Sequence, residues 1–282
     1  MIGDPGTDIL PAMTVRETSP LSSFAPVTAS ASRAALVTGA GRRIGRAIAL
    51  DLARHGWAVA VHYNYSGAEA EDVAAVIRRD GGRAAAVQAN LADDGQTESL
   101  VARATAAVGP VTLLVNNASI FEKDLWDTVS RESWDQHMQI NLHAPFVLMQ
   151  EFARRRPRGV PANIVNLIDE RVWNPTPYFV SYTVSKMGLW GLTQTLALAL
   201  APEVRVNAIG PGPTLQSAHQ TPEQFRRQWE MMPLKRPADV EEICRAVRFI
   251  LDAPSMTGQM IALDGGQHLG WAQPGHPPPS DE

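Results

Sequence analysis

Between residues 34 and 263 the chain alternates short runs of Ala and β-branched residues with longer stretches in which apolar positions recur every three or four residues. Short apolar runs are typical of buried strands, and the periodic stretches are typical of amphipathic helices. The predicted strands are 34–38, 57–63, 83–88, 111–116, 163–168, 204–209 and 259–263. The predicted helices are 44–55, 68–79, 94–108, 133–155, 179–201 and 238–251.

This alternation predicts an α/β fold in which seven parallel strands form one doubly wound sheet with helices on both faces. Residues 33–270 form the predicted domain. Residues 1–32 are rich in Pro, Ser, Thr and Ala and lack periodicity, so we expect a disordered N-terminal extension, and residues 271–282 are expected to form a flexible tail. Doubly wound sheets bind ligands beyond the C-terminal ends of their strands, where the candidate chemistry is therefore expected.

Composition narrows the classes of function. A formal charge of -4 and a pI near 6.0 give no basic surface for nucleic acid, and no charge block is typical of a membrane-surface helix. Cys244 is the only cysteine, which excludes a disulfide framework and fits a cytoplasmic protein. No cluster of His, Asp and Glu has metal-ligand spacing, so no metal site is predicted. We expect a small-molecule substrate.

The first predicted strand runs into a glycine-rich turn, TGAGRRIG at residues 38–45, which opens a helix. Glycines in this context allow a dinucleotide pyrophosphate to approach the helix N-terminus. The acidic residue that would accept the ribose 2′-hydroxyl of NAD is missing, since the second strand ends in HYNYS at residues 62–66 and no carboxylate precedes Glu69. NADP(H) is therefore favoured over NAD(H), although this loop contains no Arg or Lys.

Tyr182 and Lys186 lie four residues apart in a predicted helix and therefore share one face of it. A Lys ammonium beside a phenol stabilises the phenolate, so we expect Lys186 to lower the pKa of Tyr182 and make it a general acid. The same spacing is common on any amphipathic helix, so this pair alone is weak evidence for catalysis.

Several motifs in order resemble the classical short-chain dehydrogenases/reductases. They are Thr38-Gly39 with Gly45, Asn116-Asn117-Ala118, Asn141, Tyr182 with Lys186, and Pro211-Gly212. The resemblance covers residues 34–266 and implies a single Rossmann-like domain, a nicotinamide cofactor and a homotetramer. It also implies that Tyr182 is the catalytic acid, that Lys186 holds the nicotinamide ribose, and that Asn141 helps a proton relay.

Two departures from that pattern resemble the pteridine reductase subgroup: Arg43 replaces the middle glycine of the turn, and Asp169 replaces a catalytic Ser. His62-Tyr63, Ser66, Ser119 and Phe121 carry the same resemblance. It implies that Arg43 and Ser119 contact cofactor phosphates, with Ser66 near the 2′-phosphate. It further implies that a pterin stacks between nicotinamide and Phe121, with Asp169 and Tyr182 supplying protons.

The resemblance therefore assigns two sets of residues. The cofactor set is Gly39, Arg43, Ile44, Tyr63, Asn64, Ser66, Asn90, Leu91, Asn117, Ala118, Ser119, Tyr182, Lys186, Pro211, Gly212 and Thr214. The substrate set is Arg43, Phe121, Asp169 and Tyr182. The sequence departs from the subgroup where Tyr65 replaces an Arg that holds the 2′-phosphate and where Asn90 replaces an Asp that receives the adenine amino group. Strict preference for NADP stays open.

The carboxyl group at position 169 favours a pterin over a carbonyl substrate. A carboxylate would repel the alkoxide that forms in carbonyl reduction, whereas a carboxyl group can protonate a pterin ring nitrogen or accept its amino group. The alternative is an exposed loop acid paired with Arg171. The sequence predicts an NADPH-dependent reductase of a pterin, from dihydropterin to tetrahydropterin. The alternatives are a carbonyl or alcohol oxidoreductase acting on a sugar, acyl thioester or xenobiotic, and a non-catalytic NADP-sensing protein. Residues 213–233 are the predicted substrate lid.

Overall fold

The computed structural model describes residues 33–217 and 220–270, which contain one seven-stranded parallel sheet with strand order β3-β2-β1-β4-β5-β6-β7. The strands are β1 (Ala34–Val37), β2 (Ala58–Tyr63), β3 (Ala84–Gln88), β4 (Val111–Asn116), β5 (Ala162–Leu167), β6 (Val204–Pro211) and β7 (Met260–Leu263). The predicted doubly wound sheet is confirmed. The predictions of disorder in residues 1–32 and flexibility in residues 271–282 lie outside the described residues.

Helices cover both faces of the sheet. They are α1 (Arg43–Arg54), α2 (Gly67–Arg79), α3 (Asp94–Val108), α4 (Arg131–Met138), α5 (Ala144–Arg155), α6 (Val180–Ala199), α7 (Pro222–Glu230) and α8 (Val240–Asp252). Strand residues alternate between two apolar cores, as the twofold period of a strand requires. Leu36 and Leu114 pack with α3, α5 and α6, whereas Val37 and Val115 pack with α1, α2 and α8. Within the described segments, no helix has the length and apolar content to cross a membrane.

One predicted helix proves to be three segments. The pattern over residues 133–155 predicts an uninterrupted helix, but a π-helical stretch, Gln139–His143, separates α4 from α5. The amide of Ala144 donates to the carbonyl of Gln139, five residues back. The apolar periodicity continues through the stretch, so sequence pattern alone does not reveal it. π-helical turns are rare and frequently lie at functional sites, and this one carries the buried side chain of Asn141.

The strand order brings the candidate residues together. β1 lies between β2 and β4, although β2 and β3 precede β4 in the chain, so the connection reverses direction beside β1. Such a reversal opens a crevice beyond the C-terminal ends of the central strands. The glycine turn after β1, the Asn117 turn after β4, Asp169 after β5 and Gly212 after β6 all lie at this edge.

Candidate active site

A cleft of about 470 Å³ lies beyond the C-terminal ends of β1, β4, β5 and β6. Most residues assigned from sequence line it: Gly39, Arg43, Ile44, Asn117, Ala118, Ser119, Phe121, Asp169, Tyr182, Lys186, Pro211, Gly212 and Thr214. Asn141 is fully buried behind its wall. Tyr63, Asn64, Ser66, Asn90 and Leu91 lie instead around the ends of β2 and β3, next to the glycine turn. The structure therefore brings together the residues assigned to the reacting end of the site.

Close packing fixes the shape of the glycine turn. A Cβ on Gly45 would lie 2.4 Å from the Gly39 carbonyl oxygen and 2.5 Å from Asn117 Nδ2, too close for any side chain. The Asn117 amide donates to the carbonyl oxygen of Thr38 at 2.8 Å, and the Thr38 hydroxyl oxygen accepts from the amide of Ala118 at 2.9 Å. The turns after β1 and β4 therefore form one rigid floor under the cleft.

His62 holds the glycine turn through a hydrogen bond to its backbone. Its Nδ1 accepts from the amide of Gly39 at 3.1 Å, so the ring proton lies on Nε2, which donates to the carbonyl oxygen of Ala89 at 3.1 Å. Burial lowers the pKa of His62 to about 4; the bond to Ala89 opposes this shift and the charge of Arg103 adds to it. The ring is therefore neutral at physiological pH and links the turn to both β2 and the end of β3.

Two helix N-termini meet at the glycine turn. Arg42 is the N-cap of α1 and Ser66 is the N-cap of α2, and neither makes a side-chain cap hydrogen bond. A Cβ on Gly41 would lie 3.1 Å from Ser66 Oγ and 3.2 Å from the amide nitrogen of Ala70. Helix N-termini carry N–H groups and a positive dipole end that attract phosphate. The turn therefore offers two adjoining anion-binding ends.

Arg42, which sequence reasoning did not assign, adds a cation at this position. It forms an ion pair with Glu69 in the first turn of α2. The loop after β2 contains no Arg or Lys, but the fold supplies a guanidinium group from the glycine turn to the same place. The only sequence signal was its position within TGAGRRIG.

The residues assigned to the adenosine end already contact one another. Asn90 Oδ1 accepts from Asn64 Nδ2 at 3.3 Å and from the amide of Ala92 at 3.0 Å. This oxygen, expected to receive the adenine amino group, therefore already accepts two intramolecular bonds. Tyr63 packs against Gly67, whereas Tyr65 is 90% exposed. Leu91 is buried in the core under this end of the sheet.

Tyr182, Asp169 and Lys186 form the polar centre of the cleft. The Tyr182 hydroxyl donates to Asp169 Oδ2 at 2.7 Å, and Asp169 Oδ1 accepts from the backbone amide of Arg171 at 2.9 Å. Lys186 Nζ donates to the carbonyl oxygen of Leu167 at 2.9 Å and lies 5.7 Å from the centre of the Tyr182 ring. The alternative of an exposed loop acid is wrong, because Asp169 is half-buried and binds the phenol.

The expected lowering of the Tyr182 pKa is wrong. Burial and then the charge and hydrogen bond of Asp169 raise the pKa of Tyr182 well above its usual value, while Arg171 opposes this rise. Burial lowers the pKa of Lys186 to about 8, against the opposing effect of Asp169. The phenol of Tyr182 therefore carries its proton at physiological pH and is a proton donor.

Asn141 is connected to the wall of the cleft. Its Nδ2 donates to the carbonyl oxygen of Ile120 at 3.0 Å and to Ser185 Oγ at 3.1 Å. Its Oδ1 accepts from the amide of Ile120 at 2.9 Å and from the Ser119 hydroxyl at 3.1 Å. The π-helical stretch thus presents an amide that fixes the chain at Ser119 and Ile120.

An aromatic wall lines the cleft, and the sequence motifs assigned Phe121 and Tyr182 to the site but not Phe179. Phe121 stacks on Phe179 with ring centres 4.2 Å apart and meets the Tyr182 ring edge-on at 4.7 Å. The Arg171 guanidinium lies 5.4 Å from Phe121 and 5.0 Å from Phe179. Phe179 has φ +57°, a left-handed conformation that no sequence signal indicated.

Arg43 joins the glycine turn to the segment predicted as a lid. It also has a left-handed backbone, with φ +54°, at the position where the family pattern has glycine. Its guanidinium donates to the carbonyl oxygens of Gln216 at 2.8 Å and Leu215 at 3.0 Å. Leu215, Ser217, Gln220, Phe225 and Gln228 line the cleft, and α7 buries none of its residues. His219 lies outside the described residues.

Comparison with protein families gives a match over residues 39–268 to a family model described as enoyl-(acyl carrier protein) reductase. The 3-oxoacyl-[acyl-carrier-protein] reductase FabG of Staphylococcus epidermidis is 34% identical over 243 residues, which are 84% of this chain and 100% of that protein. A short-chain type dehydrogenase/reductase of Picea abies is 32% identical over 83% of this chain and 92% of its own length.

Among solved structures, this chain is similar to FolM alternative dihydrofolate reductase 1 from Brucella canis, which was crystallised with NADP. The TM-score is 0.84 and the identity 48%, over 86% of this chain and 96% of that one. An identity of 48% over nearly the whole length of the Brucella protein indicates shared ancestry as well as a shared fold.

Proposed function

Because the chain belongs to the short-chain dehydrogenase/reductase family of oxidoreductases, we propose that it is an NADPH-dependent reductase that converts a dihydropterin to a tetrahydropterin. One observation carries the proposal: in the cleft, the carboxylate of Asp169 accepts a 2.7 Å hydrogen bond from the Tyr182 hydroxyl. The similarity to a FolM alternative dihydrofolate reductase supports the same class of substrate.

The glycine turn fits a nicotinamide dinucleotide. The Cβ-free surface at Gly45 and the N-termini of α1 and α2, which lack side-chain caps, give a pyrophosphate a close approach to backbone N–H groups. Arg42 and Ser66 would hold the 2′-phosphate of NADP, and Asn117, Ala118, Lys186 and Gly212 would surround the nicotinamide riboside. When bound, this cofactor supplies the hydride.

The other side of the cleft fits a flat heteroaromatic ring. Phe121 lines the cleft and is itself stacked on Phe179, and Arg171 adds a cation over the same aromatic wall, which favours an electron-rich bicyclic ring. Asp169 offers an acceptor for the donor groups of an amino-pyrimidine edge. We propose that the ring lies between the nicotinamide and Phe121, with its reducible C=N bond next to Tyr182.

Proton delivery would start from Tyr182. Reduction of a C=N bond by hydride at carbon leaves charge on nitrogen, and the phenol of Tyr182 would protonate that nitrogen as it develops. The Lys186 ammonium would stabilise the resulting phenolate, and the Asp169 carboxylate would take up a proton from solvent and pass it to the phenolate along their hydrogen bond. Asn141 would hold Ser119 and Ile120 in place, so that the wall beside the nicotinamide keeps its shape.

The second candidate function is reduction of a 3-oxoacyl thioester, favoured by the 34% identity to FabG proteins. That reaction builds negative charge on oxygen, and the carboxylate of Asp169 beside Tyr182 would oppose it. The carboxylate therefore makes this candidate the weaker of the two. We further propose a cytoplasmic homotetramer, in line with the resemblance of the sequence to classical family members.

The test follows oxidation of NADPH at 340 nm by purified protein with 7,8-dihydrobiopterin, dihydromonapterin, an acetoacetyl thioester and a small ketone panel. We expect turnover of at least one pterin, and a fall of about 100-fold or more in kcat/KM for Asp169→Ser. The variant Asp169→Asn, which keeps the shape and loses the acid, should be similarly impaired. Ketone or thioester turnover with inert pterins would overturn the proposal.

A further inference from the structure

We propose that His137 is a positioning residue that fixes the Phe121 wall of the cleft relative to Tyr182. The inference deepens the proposed function, since the wall is where the substrate ring would stack. His137 is fully buried in α4, and its ring centre lies 6.2 Å from that of Tyr182. It lies behind the cleft and does not line it.

The hydrogen bonds of His137 define its tautomer. The backbone amide of Glu122, the residue after Phe121, donates to His137 Nε2 at 3.2 Å. A backbone N–H can only donate, so Nε2 is unprotonated and the proton of the neutral ring lies on Nδ1. Nδ1 accordingly lies 2.9 Å from the carbonyl oxygen of Ser133 and 2.8 Å from Ser181 Oγ, both of which can accept.

Asp124, which is also buried, forms the remaining hydrogen bonds of this network. The Ser181 hydroxyl donates to Asp124 Oδ2, and the Ser181 amide donates to Asp124 Oδ1 at 3.2 Å. The backbone carbonyl of Asp124 accepts from the amide of Phe179 at 2.8 Å. Asp124 therefore caps the start of α6 and holds the left-handed residue that stacks on Phe121.

Together these bonds join three separate elements. His137 on α4 binds the residue after Phe121 through one ring nitrogen and the residue before Tyr182 through the other. An imidazole is rigid, so the distance between the two bonded groups is fixed by the ring. Loss of the Nε2 acceptor would remove this hydrogen bond from the Glu122 amide and loosen the loop that carries Phe121.

The experiment uses two polar replacements that separate the functions of the two ring nitrogens. In His137→Gln the side-chain oxygen reaches the position of Nε2 and keeps an acceptor for the Glu122 amide. In His137→Asn the shorter amide keeps a donor near Ser133 and Ser181 and loses that acceptor. Val101→Ala, a core substitution on α3 away from the cleft, gives a destabilised control.

For the folded His137→Asn variant we expect KM for the dihydropterin to rise about tenfold, with the NADPH Kd within about twofold of the wild type. His137→Gln should restore KM, and Val101→Ala should leave it unchanged. Hydrogen exchange of the Glu122 amide should accelerate in His137→Asn alone. A wild-type KM in His137→Asn, failure of His137→Gln to restore it, or an equal rise in Val101→Ala would each overturn the inference.

The two proposals fail in distinguishable ways. If the wild type reduces a carbonyl substrate and no pterin, the proposed function fails, and the same KM comparison is made with that carbonyl substrate. The hydrogen-exchange rate of the Glu122 amide can be measured without any substrate. Unchanged exchange in His137→Asn would therefore overturn the positioning role whichever substrate is reduced.

Discussion

Arg43 Nη2 donates to the carbonyl oxygen of Leu215 at 3.0 Å and thereby connects the glycine turn after β1 with the segment after β6. A second bond from the same guanidinium to Gln216 measures 2.8 Å. Both contacts are exposed, and both belong to a residue whose backbone lies in the left-handed region. The residue assigned to cofactor phosphate and substrate thus also holds the edge of the segment predicted as a lid.

Replacement of Arg43 by Gly should release the lid without unfolding the protein. Glycine adopts φ +54° without the cost of about 1 kcal/mol that a left-handed side chain carries, so we expect the free energy of unfolding to stay equal or rise slightly. Amide exchange across residues 214–217 should accelerate. Arg46→Gln, which removes an exposed cation from the same helix, should leave that exchange unchanged. A lid with unaltered exchange in Arg43→Gly would show that the two carbonyl contacts do not restrain it.

Arg42 should discriminate between the two nicotinamide dinucleotides. It is the basic residue that the fold brings to the N-terminus of α2, where it pairs with Glu69. We expect Arg42→Gln to raise the Kd for NADPH by about tenfold and the Kd for NADH by less than about twofold, because only NADPH carries the 2′-phosphate. Fluorescence titration of both cofactors measures this. Equal weakening of both would place Arg42 at the pyrophosphate instead.

Lys186 should limit activity at alkaline pH. Burial lowers its pKa to about 8, so in the free enzyme the ammonium group is lost as the pH rises through that value. We therefore expect kcat/KM to fall above about pH 8, because a neutral Lys186 no longer stabilises the phenolate of Tyr182. In Lys186→Arg this alkaline limb should move to higher pH, whatever the absolute rate. A limb that stays in place would assign it to another group.

His62 should make the stability of the protein depend on pH. Its pKa is about 4 in the folded protein against 6.5 when unfolded, so the unfolded chain binds the proton more tightly between these values. Its contribution is fully present above pH 6.5 and is lost as the pH falls toward 4, by up to about 3 kcal/mol. Urea denaturation at several pH values should show this slope, and His62→Asn should reduce it. An unchanged slope in the variant would assign it to other groups.

Sequence predicted the elements of this fold well because each depends on local periodicity. The strand at 111–116 and the helix at 94–108 have the bounds that the apolar pattern predicts. Glycine chemistry and residue spacing also indicated the cleft, through the turn at 38–45 and the pair Tyr182 and Lys186.

The details that sequence did not predict all depend on tertiary contacts. Phe179 reaches Phe121 because a buried Asp124 fixes an unusual backbone conformation, and no local signal encodes that. Arg42 meets Glu69 only because α1 and α2 begin side by side. The pKa of Tyr182 rises because burial and the neighbouring carboxylate of Asp169 outweigh the opposing charge of Arg171. Spacing predicts which residues are neighbours, but it does not predict their electrostatic balance.

The number of residues in the π-helical stretch between α4 and α5 determines how the two helices face the site. A hydrogen-bonded ring that closes over five residues contains one residue more than an α-helical ring, and one residue turns an α-helix by about 100°. Because of that extra residue, His137 faces Tyr182 while Leu148 faces the sheet. Deletion of a single residue between 139 and 143 would restore a regular helix and rotate one of these two faces away from its partners. A change that a surface loop would tolerate is therefore expected to dismantle this site without replacing any side chain that lines the cleft.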